Sequence, residues 1–186
     1  MVTLSALWAP ILIAGAAVFI VSAIVWMLMP HHKNDFSPPD DQDALMKAVR
    51  QTTSGPGMYY FPWAGPEGEQ SDAYKARVHT GPVGILRVRD SRAVLDMRSS
   101  ILKSLVLHLV VALFVGYLGS AVLPVGTGFL KVFQVTGTAA FMAHGFVGFQ
   151  ECIWFGLPAR VAFKHAADGL AYALLTAAIF GGLWPG

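Results

Sequence analysis

The sequence predicts an all-α membrane protein: a four-helix transmembrane bundle with a small cytoplasmic α/β insertion between its first and second helices. Three observations carry that prediction. Of 186 residues, 55% are hydrophobic and only 13% charged, against roughly 25% charge in a typical soluble domain. The missing charge is concentrated in blank stretches that reach the ~20 residues a helix needs to cross a bilayer. Basic residues, finally, crowd into loops that all fall on one side if there are four spans.

Residues 1–30 hold the first predicted span. Residues 6–29 carry no charge, and Pro10 sits in the first turn, where its missing N–H does no harm. A cleaved signal peptide would show a basic leader, a shorter apolar run and a small-x-small cleavage site. None is present, so the stretch reads as a retained helix. His31, His32 and Lys33 follow it; they offer a metal patch as one reading, but adjacent histidines on an interface read first as polar flank, and no metal site is expected.

Residues 31–100 form the predicted insertion. It opens on the linker NDFSPPDD, whose prolines and aspartates resist regular structure. Asp40 or Asp41 then caps a helix over 42–51, with Ala44, Leu45, Ala48 and Val49 on one face. Residues 58–61 (MYYF) read as a strand stopped by Pro62. A second short helix is expected over 71–78, a strand over 82–88 and another over 93–97. So small a segment has little core of its own and is expected to lean on the membrane, the helices or another subunit. Its aromatic residues read as core.

Residues 101–186 hold the remaining three spans. The second, 101–123, carries His108, Ala112, Gly116 and Ser120 at four-residue spacing. Small residues so placed let helices approach closely in lipid. The third, 132–155, is read as one continuous helix with Ala140, His144 and Gly148 in line, and it contains Glu151. Gly156, Leu157 and Pro158 break it, and 159–165 lies at the interface. The fourth, 166–184, lines up Gly169, Ala173, Ala177 and Gly181. Ten basic residues, Arg98 and Lys103 among them, fall between the first two spans, and Arg160 and Lys164 between the last two, against Lys131 alone on the other side. The positive-inside rule then puts residues 31–100 in the cytoplasm of a bacterial inner membrane and both termini outside. Arg98, Lys103, Arg160 and Lys164 read as topology determinants and lipid-headgroup contacts.

Residues 155–185 also carry a recognisable pattern: Phe155-Gly156, Lys164, Asp168-Gly169-Leu170, Tyr172, Thr176, Phe180-Gly181 and Leu183-Trp184-Pro185. It resembles the end of a family of small, functionally uncharacterised bacterial multi-pass membrane proteins. The motifs PGMYYFP (56–62) and GPVGIL (81–86) extend the likeness through most of the chain. The resemblance implies a topology and no catalytic residues.

Ionisable groups at membrane depth are costly and face protein or water, so His108, His144, Glu151 and Asp168 are the intramembrane candidates. Helical rise puts His108 and Glu151 at matching depths, which opens a His108–Glu151 pair as a register-fixing contact or, alternatively, a proton relay. By the same rise His144 lies about 12 Å from His108 along the axes, a poor placement for a bis-histidine haem. Asp168 reads as a carboxylate in a first helical turn, where the macrodipole favours it. Cys152 is the only cysteine, so no intrachain disulfide forms. A net charge of +2 gives no argument for nucleic acid, and no nucleotide-binding or nucleophile motif is present. The expectation is a non-enzymatic accessory or assembly subunit of a larger membrane complex, without cofactor, its partners being the lipid bilayer and other membrane subunits. The alternatives are a transporter or proton-relay component and, behind it, a haem protein.

Overall fold

A computed structural model describes residues 1–186 and divides them into two units: residues 1–35 with 98–186, and residues 36–97. In the first unit a 3-10 turn at Leu4–Leu7 leads into α1 (Trp8–Met27), and a second turn, Pro30–His32, follows it. After the second unit come α5 (Arg98–Val122), α6 (Phe129–Gly145), α7 (Val147–Phe155) and α8 (Ala159–Gly182). Three helical stretches are long and apolar enough to cross a membrane: Leu4–Met27, Arg98–Val122 and Phe129–Phe155. α8 is 24 residues long, but Arg160, Lys164, His165 and Asp168 occupy its first ten positions, and it falls outside that group.

Leu7, Ile11 and Ala14 of the first stretch, Ala112 and Val115 of α5, Val132 and Ala140 of α6, and Ala173 and Phe180 of α8 form one buried cluster. Small residues set how closely the helices meet. A Cβ added to Gly169 would lie 2.7 Å from the backbone of Gly145, and one added to Gly137 would lie 3.0 Å from the Ala177 Cβ. Gly116 is similarly crowded by Ile11, and Gly148 by Ala162 and His165. Ala112, Ala173 and Ala177 are buried. Gly181 faces the Phe129 ring. Ser120 instead bonds its own helix, donating to the Tyr117 carbonyl, and its neighbour Gly119 takes the contact with Trp184. The ladders are thus largely consumed inside the chain. Trp184 closes the far end, its Nε1 donating to the Pro124 carbonyl at 3.1 Å.

The continuous helix expected over 132–155 is broken. α6 ends at Gly145 and α7 begins at Val147, with a one-residue bend at Phe146, whose backbone stays in the right-handed helical region, and the Phe149 N–H bonds the Phe146 carbonyl. Glycine is a weak helix former, and this one sits where α8 presses in through Gly169. At the end of α7, Gly156 adopts a left-handed conformation (φ 74°) and its N–H bonds the Glu151 carbonyl, a common helix stop. Pro158 then starts α8.

The second unit holds α2 (Gln42–Thr52), β1 (Gly57–Phe61), α3 (Asp72–Thr80), β2 (Gly84–Val88) and α4 (Ser91–Leu95). The Asp41 carboxylate caps α2 by accepting from the Ala44 N–H at 2.8 Å. β1 and β2 pair antiparallel, with Tyr59 opposite Leu86 and Phe61 opposite Gly84. The strand expected over 93–97 is a helix, because Asp90 accepts the Arg92 N–H at 2.8 Å and starts α4. Side chains of α2 and the two strands share one groove, lined by Leu45, Ala48, Val49, Tyr59 and Ile85. No residue between Phe36 and Met97 is buried.

Candidate functional site

Two polar clusters lie in the first unit. The larger one forms where the chain leaves α1. Pro30 has a φ suited to a helical turn, and the short turn it opens sets His31 and His32 side by side, ring centroids 4.1 Å apart. Across from them α8 presents Arg160, Lys164 and Asp168 at four-residue spacing, hence on one face. Asp168 takes both histidines: its Oδ1 is 3.0 Å from His31 Nε2 and its Oδ2 is 2.8 Å from His32 Nε2. The other nitrogen of His32, Nδ1, lies 2.6 Å from Asp35 Oδ2. Lys164 Nζ donates to Asp35 Oδ1 and to the His31 carbonyl, and Arg160 donates to the Asn34 carbonyl at 3.3 Å. Trp26 stacks flat on His32, 4.0 Å between centroids and 1° between planes. The His165 ring lies 5.8 Å from that of His32.

Several expectations change here. His31 and His32 are not polar flank, since each bonds a carboxylate more than 130 residues away. Asp168 sits in the third turn of α8, beyond the reach of the macrodipole, and its partners are imidazoles. Arg160 and Lys164 have protein partners in the segment after α1. Lys103 is exposed on α5, and Arg98 opens that helix. Asp35 lay in a stretch read as plain linker, yet its carboxylate is 2% exposed. Burial pushes its pKa up, but the hydrogen bonds and charges of Lys164 and His32 outweigh burial and hold it below the ordinary value of 3.8. Carboxylate oxygens only accept, so both ring nitrogens of His32 face acceptors. Two clusters of ligand atoms, His31/His32/Asp168 and His32/Asp35/His165, each fall within 4.8 Å.

The second cluster is deeper. His108 Nε2 is 3.3 Å from Ser22 Oγ, which itself donates to the Phe19 carbonyl. The Ser22 oxygen therefore accepts, His108 carries its proton on Nε2, and the lone pair is on Nδ1. That atom is buried and has no partner, as does the hydroxyl of Tyr172. The His144 ring lies 5.5 Å from His108 and 5.7 Å from Tyr172. The two histidines are thus neighbours and not 12 Å apart. A haem between them would have to displace the Tyr172 ring, which meets both. Glu151 lies beyond the break on α7, half-buried, while His108 turns to Ser22, His144 and Tyr172 instead of to it.

The two clusters are joined along α8, where Tyr172 follows Asp168 by four residues on the same face. That spacing was visible in the sequence, and so was the run Arg160, Lys164, Asp168. Nothing local marked Ser22, Trp26, Asp35 or His165.

No family model matches the chain, and neither the curated proteins nor the solved structures compared with it give a match.

Proposed function

We propose that this chain is a four-span integral protein of a bacterial inner membrane, with both termini outside and residues 31–100 in the cytoplasm. It acts there as a non-enzymatic subunit of a larger membrane complex and supplies half of a proton path. The path starts at the Asp168 network and runs down α8 through Tyr172 to His144, His108 and Ser22. The observation that carries this reading is the pair of buried, unpartnered polar atoms, His108 Nδ1 and the Tyr172 hydroxyl, in a triangle of rings with His144. A buried polar atom without a partner costs about 1–3 kcal/mol, so ordered water or a moving proton between these groups would offset a real penalty. Ionisable side chains inside membrane spans commonly line such routes.

The string enters from the side where α1 ends and stops near the middle of the bundle. Farther along, Thr136 and Thr176 are the buried polar residues, and each spends its hydroxyl on its own helix backbone. A path that stops halfway needs a partner for its second half, which favours a subunit over a self-contained transporter. The second unit points the same way. A folded segment in which no residue is buried has apolar faces to cover, among them Met58, Tyr60, Phe61 and Trp63.

Extraction in mild detergent followed by native mass analysis tests the subunit reading: further membrane subunits should accompany the chain at fixed stoichiometry, and a lone monomer overturns it. In the recovered complex, Tyr172→Phe removes only the unpartnered hydroxyl. Proton-coupled activity should fall about a hundredfold or more, within the range of a lost proton-transfer group, with assembly intact. Unchanged activity ends the relay.

A further inference from the structure

We propose that His31, His32 and Asp168 form a binding site for a divalent transition-metal ion of the zinc class. The inference does not depend on the proton path, because it rests on the construction of the site itself. Two imidazole nitrogens and a carboxylate converge within 4.8 Å. This donor set suits zinc and its first-row neighbours better than magnesium or calcium, which prefer oxygen. Three protein ligands also leave a fourth position open for water or a substrate atom.

The surroundings distinguish this trio from a chance cluster. A metal-binding histidine usually donates its second ring N–H to a carboxylate that fixes its tautomer and orientation. His32 does so, with Nδ1 2.6 Å from Asp35. Asp35 is held in turn by Lys164 through its other oxygen, so that oxygen is not available to compete for the ion. Trp26, stacked flat on the ring, fixes its plane and keeps Nε2 aimed at Asp168. Without an ion each histidine hydrogen-bonds Asp168, with protons in the place of the metal. An ion entering between Nε2 of each histidine and Asp168 would displace those protons. The alternative trio, His32, Asp35 and His165, is the poorer site, since Lys164 already neutralises Asp35.

The test is titration of the purified full-length chain in detergent, stripped with chelator, with Co(II) alone and then Zn(II) in competition, read by the visible ligand-field absorption of Co(II). One equivalent should bind per chain and be displaced by Zn(II). His32→Gln and Asp168→Asn should each weaken binding at least 100-fold. Asp35→Asn, which changes only the supporting carboxylate, should weaken it about 10–100-fold. His79→Ala, an exposed histidine of α3, should leave it unchanged. Helical circular dichroism checks each variant's fold. If His32→Gln does not fold, His31→Ala takes its place, because that ring is 30% exposed. Absence of saturable binding to the unmodified chain, or undiminished binding in folded Asp168→Asn, overturns the site.

Discussion

His32 is the residue on which the polar chemistry of the α1 exit converges, and Asp35 is the group that makes it sensitive to acid. The sign follows from the direction of the shift. Asp35 has a folded pKa below its ordinary value of 3.8, so the stabilisation it provides is fully present above that value. It is lost as pH falls through the lower, folded value. Thermal unfolding in detergent should therefore show a loss of stability as pH drops below about 4. Asp35→Asn should be less stable than the parent at pH 7 and should lose this acid-dependent part of the profile. Two parallel profiles would show that Asp35 contributes nothing to it. Legibility at this scale was uneven. The i, i+4 pair of Lys164 and Asp168 could be seen in the sequence, but Asp35 could not, since an aspartate in a run rich in Asn, Ser and Pro also describes an ordinary loop.

Among the elements, the contact between α6 and α8 shows how a glycine can decide where a helix stops. Gly145 and Gly169 meet backbone to backbone, and a Cβ on Gly169 would lie 2.7 Å from Gly145. Gly169→Val should force the helices apart and cost about 2 kcal/mol, in the range for overpacking. Unfolding under steric-trap or denaturant conditions in detergent would measure it, and a neutral result would mean that the crossing yields easily. In the second unit, local capping overrode strand propensity. Asp90 bonds the Arg92 N–H, and a cap of this kind contributes about 1 kcal/mol. Asp90→Ala should therefore raise amide hydrogen exchange within Ser91–Leu95, and unaltered exchange would show that α4 does not depend on its cap.

For the whole molecule, the proposed orientation depends on how many helices cross a membrane. Three stretches qualify by length and apolarity, while α8 carries its ionisable residues in its first half and packs against both α1 and α6. A helix can cross a bilayer with such residues when they face protein, and Lys164 and Asp168 are bonded within the chain. Four crossings place the C-terminus outside, whereas three would leave it in the cytoplasm. A reporter active only outside the inner membrane should be active when fused after Gly186 and inactive when inserted near residue 65. Activity at both positions, or at neither, would overturn the four-span orientation.

By itself the sequence determined which stretches avoid water, where most helices begin and end, and that a polar segment separates the first span from the rest. Those properties depend on neighbouring residues: transfer free energy sums along a window, and a cap acts within one turn. Tertiary structure alone decided which polar side chains meet. His31 reaches Asp168 across 137 residues, and His108 of α5 lies against His144 of α6. Such contacts depend on crossing points and kinks, whose energies arise from packing between distant segments and leave no periodic mark in the chain.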